Sequence, residues 1–215
     1  MSSCMKFFSF LLLFGWLGLA QTAAQAAAQA TPTILVFGDS LSAAYGIPRE
    51  SGWAALLAKR LQSGNPSYQV VNASVSGETT AGGLTRLPKL LQTHKPQLTI
   101  LALGANDGLR GLPLLQTARN LENMITLAQK QGSKVLLVGM QLPPNYGAAY
   151  TSKFQNLFRD VAKKKKVRLL SFLLDGIATQ ANLFQADGLH PTAQAQPALL
   201  NNVWRELAPM LKQIK

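Results

Sequence analysis

The pattern that most constrains this chain is an alternation, in which short apolar runs rich in Val, Ile and Leu take turns with longer stretches of helical period. The runs cover residues 33–37, 68–71, 98–103, 134–139 and, more weakly, 167–170. Near-continuous apolar runs of this length read as strands buried on both faces. The intervening stretches, 53–61, 80–91, 114–131 and 150–165, carry apolar residues three and four apart, which predicts amphipathic helices. A last helix is expected over 199–214, bent at Pro209. Strands that alternate with helices are joined by crossovers, so the expected class is α/β, a parallel sheet with helices on both faces.

The first thirty residues stand outside this alternation. Lys6 is the only charge before an apolar run over 7–20, and an alanine-rich stretch comes next, over 23–30. That order predicts a secretory signal peptide at 1–30, and the run falls short of the ~20 residues that span a bilayer. Ala24-Gln25-Ala26 and Ala28-Gln29-Ala30 both fit a cleavage site; cutting after Ala30 leaves the first strand whole. An uncleaved anchor is the alternative. The expected location is periplasmic or secreted, with residues 31–215 as a single domain large enough to bury a core. Cys4, the sole cysteine, precedes the apolar run, whereas a lipobox cysteine comes after it, so neither a lipid anchor nor a disulfide is expected.

Twenty-one Lys and Arg against nine Asp and Glu give a formal charge of +12. A surplus of this size permits weak association with an anionic membrane surface. The densest cluster, Lys163 to Lys166 with Arg168, lies at an expected helix end, where cations suit the helix dipole. No aromatic residues interleave with it, which argues against a nucleic-acid partner.

In an open α/β sheet the ligand site lies at the carboxyl ends of the strands. The segments just beyond the runs are small and polar: Gly38-Asp39-Ser40-Leu41, then Asn72 to Gly77, then Gly104-Ala105-Asn106-Asp107, then Gln141 to Tyr146, and finally Asp187-Gly188-Leu189-His190-Pro191. Of the two histidines, His94 falls in a polar turn at the opposite end of the sheet and reads as a solvated loop residue. His190 has Asp187 three residues before it, a spacing that suits a base and its orienting carboxylate and equally suits a turn cap beside an exposed histidine. Ser40 is the candidate nucleophile, at the start of a helix whose dipole favours developing negative charge; Ser40 or Asp39 as a plain helix cap gives the same pattern. Gly77 can offer a backbone N–H close to a substrate and Asn106 a side-chain amide, although each is also an ordinary turn residue. Leu109, Leu112, Leu142, Pro143 and Tyr146 are the candidate substrate wall; packing of these loops onto the domain is the alternative.

Taken together, Gly38-Asp39-Ser40-Leu41, Gly77, Gly104-Ala105-Asn106-Asp107 and Asp187-Gly188-Leu189-His190-Pro191 resemble in order and spacing the four blocks of the SGNH (GDSL) hydrolases. The likeness is strongest to the bacterial periplasmic thioesterase I / protease I / lysophospholipase L1 group, also described as arylesterases. It extends through Tyr45-Gly46, Gly52-Trp53, residues 108–112, Met140-Gln141 and residues 144–147. The resemblance implies a flavodoxin-like three-layer α/β/α sandwich of about five parallel strands, no metal and no cofactor. It implies a Ser40, Asp187, His190 triad with an oxyanion hole from the Ser40 N–H, the Gly77 N–H and the Asn106 side chain. The substrates it implies are small acyl esters, thioesters or lysophospholipids, handled by a monomer. Leu142-Pro143 departs from relatives and leaves chain-length preference open. Deacetylation of glycans by the same triad is the rival activity, and a non-catalytic binder of lipid or anionic surfaces is the rival class. The G-x-S-x-G elbow of α/β-hydrolases is absent.

Overall fold

Five strands, β1 (Thr33–Gly38), β2 (Gln69–Asn72), β3 (Leu98–Ala102), β4 (Lys134–Val138) and β5 (Arg168–Leu170), form one sheet in the order β2-β1-β3-β4-β5 in this computed structural model. It describes residues 31–64 and 67–214; the signal-peptide and cleavage readings lie outside the described residues. All four pairings are parallel, with Ile34 of β1 opposite Val70 of β2 and Leu98 of β3. The helices are α1 (Ser40–Ala43), α2 (Trp53–Gln62), α3 (Thr80–His94), α4 (Ala105–Leu109), α5 (Leu114–Lys130), α6 (Ala148–Lys165) and α7 (Gln196–Leu211).

Side chains alternate across the sheet, which explains why the strands read as unbroken apolar runs. Ile34 and Val36 of β1 enter a layer built with Trp53, Leu57 and Leu61 of α2 and Leu199, Val203 and Leu207 of α7. Leu35 and Phe37 enter the opposite layer, with Leu87 and Leu91 of α3, Leu121 and Met124 of α5 and Phe154 and Phe158 of α6. Both faces are therefore covered, as a parallel sheet requires. Each fully buried Leu, Ile or Phe contributes about 1.5–3 kcal/mol by transfer.

Several helix boundaries differ from expectation. Helix α3 runs on to His94, and Lys95 ends it in a left-handed conformation (φ 42°) with its N–H on Leu91 O. His94 is thus the half-buried last residue of a helix, not a loop residue, although it does lie at the end of the sheet remote from the strand carboxyl ends. Helix α6 begins at Ala148, two residues early. Helix α7 begins at Gln196, three residues early, and runs through Pro209 to stop at Leu211. The buried Gln196 side chain accepts from Trp53 N–H at 3.0 Å, tying the start of α7 to α2 across 143 residues. No local periodicity encodes such a bond.

From β1 the chain passes to β2 on one side of the sheet, and then to β3 on the other. The strand order therefore reverses between β1 and β3, and a crevice opens there at the carboxyl ends. Among the described residues no helix is long and apolar enough to cross a membrane.

Candidate active site

Ser40 stands at this reversal, immediately beyond β1. Gly38 closes the strand where a Cβ would meet Ser42 Oγ at 2.7 Å and Ala102 O at 2.9 Å, so glycine lets the end of β1 pack against β3. The Asp39 side chain accepts from Leu41 N–H at 3.1 Å and caps α1. Ser40 is then the first helical residue and its hydroxyl is not consumed as a cap. Its Oγ lies 2.9 Å from His190 Nε2.

The loop between residues 183 and 192 brings the imidazole there. Its two arms are held by a Phe184–Pro191 antiparallel bridge and by Thr192 N–H on Leu183 O at 2.8 Å. Within it, Asp187 Oδ1 accepts from the backbone N–H of Leu189 (2.9 Å) and His190 (3.0 Å), while Oδ2 lies 2.6 Å from His190 Nδ1. An ionised carboxylate only accepts, so Nδ1 carries the hydrogen and Nε2 is free to take one from Ser40. The His190 backbone N–H, the His190 ring and the Leu189 N–H hold the Asp187 carboxyl low, at about 2. The Tyr45 ring packs on the imidazole, centroids 4.5 Å apart and tilted 42°.

Gln185 links the two halves of this arrangement. Its backbone N–H donates to His190 O (2.8 Å), and its side-chain Nε2 donates to Tyr45 O (2.8 Å) and Pro191 O (3.2 Å). The segment after α1 and the loop carrying His190 are thereby fixed to one another.

Asn106, in the first turn of α4, donates from Nδ2 to Glu78 O at 3.1 Å and makes a longer 3.5 Å contact with Asp39 Oδ2. The second contact is too long to be strong, which leaves one N–H for an incoming oxygen. Gly77 turns the chain after β2 at φ 77°, a backbone conformation that suits glycine, and its carbonyl accepts from Arg110. Below these two donors sits a buried polar cluster. Asp107 accepts from Thr80 N–H at 2.9 Å, from Thr80 Oγ1 at 2.5 Å and from Thr117 Oγ1 at 3.3 Å, and Asn120 Nδ2 donates to Thr80 Oγ1 at 3.0 Å. The segment carrying Gly77 and the helix carrying Asn106 are locked together through it.

A cleft of about 420 Å³ opens beside Ser40 and His190. Leu109, Leu142 and Pro143 line it. Leu112 and Tyr146 do not: Leu112 is exposed at the end of its turn, and the Tyr146 hydroxyl donates to Leu109 O at 3.0 Å, bracing the loop from outside. Gly77 also lies off the cleft lining. Met140, Phe172, Leu174 and Phe184 complete the apolar wall. Among the described residues no group of three or more His, Cys, Asp or Glu is placed to hold a metal ion.

Residues 36–197 match the GDSL-like Lipase/Acylhydrolase family. The chain belongs to this family. Esterase TesA of Pseudomonas aeruginosa is 51% identical over 201 residues, covering 94% of this chain and 98% of the relative. Thioesterase 1/protease 1/lysophospholipase L1 of Escherichia coli is 38% identical, covering 86% and 87%. The crystal structure of a psychrotrophic esterase, EstA from Pseudoalteromonas, inhibited by monoethylphosphonate, superposes with a TM-score of 0.80 at 37% identity, covering 84% of this chain and 98% of that one. The family and these relatives make the chain a serine hydrolase.

In this GDSL-type hydrolase the cleft residues missed by sequence reasoning come mainly from 171–184, a segment of turns with no repeating period to mark it. Asp39 also holds more than its capping role suggested. It is 2% exposed, and burial pushes its carboxyl up to about 7, against the opposing pull of the Leu41 N–H and the His190 ring.

Proposed function

We propose that the protein hydrolyses carboxylic esters and thioesters of single acyl chains through an acyl-enzyme on Ser40. The observation that carries this reading is the continuous hydrogen-bonded line Asp187–His190–Ser40, at 2.6 and 2.9 Å, opening onto a cleft with a largely apolar wall. His190 Nε2 takes the proton from Ser40 Oγ as the oxygen attacks the acyl carbonyl, and Asp187 stabilises the imidazolium that forms. The Ser40 N–H, the Gly77 N–H and the free N–H of Asn106 receive the oxyanion. His190 then returns the proton to the leaving alcohol or thiol, and water admitted at the same position releases the acid. Acyl esters and thioesters and lysophospholipids fit both the cleft and the names of the relatives. Export through a cleaved 1–30 segment puts this activity outside the cytoplasm.

The test is a series of p-nitrophenyl and acyl-CoA esters of increasing chain length with wild type and Ser40→Ala. The expected result is turnover by wild type that improves with chain length until the cleft is filled, and none above background by the variant. Preference for acetylated glycans over every acyl chain would favour the deacetylase reading, and no hydrolysis of any member would favour a non-catalytic binder.

A further inference from the structure

The turn between β2 and α3 carries Gly77, and regular structure does little to hold it. Beyond the last β1–β2 pair, Val36 with Asn72, the chain leaves the sheet, and α3 begins only at Thr80. Ala73 N–H on Val36 O (2.9 Å) and Val75 N–H on Gly38 O (3.0 Å) fasten the start of the turn to β1, and Glu78 N–H on Val75 O (3.2 Å) closes it. Val75 and Ser76, just before Gly77, are exposed. An N–H that must meet a developing oxyanion needs firmer support than this.

Arg86 reaches both ends of the turn. It lies in α3, where side chains lean back toward the helix N-terminus. Its Nη2 donates to Ala73 O at 3.0 Å, and its Nε donates to Glu78 Oε2 at 2.7 Å. The guanidinium carbon sits 4.8 Å from the centroid of the Phe37 ring, which is fully buried near the end of β1. An ion pair on open surface contributes little. Here the Glu78 side chain is only 10% exposed, and the same planar fork is committed to a backbone carbonyl and an aromatic face. Glu78 also works in two directions, because its carboxylate meets Arg86 while its carbonyl accepts from Asn106 Nδ2 at 3.1 Å. Helix α3 leaves room for that carboxylate: Gly82 stands in its first turn, where glycine weakens a helix, and a Cβ there would overlap Glu78 Oε1.

We propose that Arg86 is a positioning residue of the oxyanion hole. By clamping both ends of the 73–78 turn it fixes the Gly77 N–H, and through Glu78 it fixes the carbonyl that aims the Asn106 amide. The proposal rests on the oxyanion hole given above. Arg86 does not line the cleft, and its hydrogen bonds go to Ala73 and Glu78, not to the triad. Its effect on the reaction therefore passes through Gly77 and Asn106.

The test measures kcat, KM and melting temperature on p-nitrophenyl butyrate for wild type, Arg86→Ala, Gly82→Ala, Asn106→Ala and the double variant Arg86→Ala, Asn106→Ala. Arg86→Ala should lower kcat about tenfold or more with KM within about twofold of wild type. The acid limb of its pH profile should stay in place, because the Ser40–His190 pair is untouched. In the Asn106→Ala background the same substitution should cost much less, since part of what Arg86 positions is already gone. Gly82→Ala leaves every charge in place and favours the helix; by displacing the Glu78 carboxylate it should lower kcat while the melting temperature holds or rises, a combination that a purely structural role does not give. Wild-type kcat in Arg86→Ala, or an equal loss with and without Asn106, would overturn the clamp. Should Arg86→Ala fail to fold, Gly82→Ala decides, and wild-type kcat there would overturn it. Full activity of Asn106→Ala would instead remove the oxyanion hole reading, and the clamp with it.

Discussion

Ser40 and Asp39 compete for one job in the sequence, because either can cap the helix after β1. The structure gives the cap to Asp39, whose carboxylate receives Leu41 N–H, and leaves the Ser40 hydroxyl to His190. Ser40→Ala should then cost on the order of 10⁴-fold in kcat with an unchanged melting temperature, measured by steady-state assay beside thermal unfolding. Two carboxylates near this hydroxyl respond to pH in opposite directions. Asp187, held at about 2, stays ionised through the acid limb of the activity profile, so kcat/KM should fall there with a slope of one, set by a single group other than Asp187. The same limb should persist in Asp39→Asn; its disappearance there would assign the limb to Asp39. For Asp39 the folded-state pKa of about 7 lies above the ordinary value of 3.8, so the native state binds the extra proton between them. Stability from this group is full below about pH 4 and is lost as pH rises towards 7. Melting temperatures from pH 4 to 8 should show that decline in wild type and a flatter curve in Asp39→Asn, whose side-chain oxygen still caps Leu41.

Whole elements hold these residues through bonds that no short window of sequence displays. Asp107 adjoins Asn106 in a family-like block, yet the sequence does not reveal that its carboxylate is buried against Thr80 and Thr117, 27 and 10 residues away. Asp107→Ala strands several buried donors and should cost about 2–4 kcal/mol, read by denaturant unfolding, together with a fall in kcat as Gly77 and Asn106 lose their common anchor. Gln185 acts on the opposite side of the site. Gln185→Glu keeps the shape and removes the donors that reach Tyr45 and Pro191, so kcat should fall severalfold with KM little changed; an unaltered kcat would mean the loop holds itself. The legible part of these elements is periodic: the five strands and the amphipathic middles of the helices, because burial on one face or two imposes a repeat. The illegible part is set by distant partners. The start of α7 depends on Gln196 meeting Trp53, and the cleft wall at Phe172, Leu174 and Phe184 comes from aperiodic turns. Leu112 and Tyr146 have the apolar character of a substrate wall and sit in neighbouring loops, but the lining of the cleft does not include them.

At the scale of the molecule, the sheet separates stability from chemistry. Its two faces carry the apolar layers, and its carboxyl edge carries Ser40, Asn106 and His190 on three different connections. Truncating a side chain in the α2/α7 layer, such as Leu57→Ala, should destabilise by about 2–5 kcal/mol while leaving kcat near wild type at a temperature where the variant stays folded. The strand and block positions were enough to locate that edge from sequence, because strand-helix alternation fixes which ends of the strands come together; the long-range clamps around it were not. The central claim, an acyl-enzyme on Ser40, is tested most directly by covalent capture with a fluorophosphonate, followed by peptide mass mapping. A Ser40 nucleophile requires one adduct per chain, on the peptide containing Ser40, formed at the rate at which esterase activity disappears and absent from Ser40→Ala. An adduct on another residue, or full activity in protein whose Ser40 is modified, would contradict it.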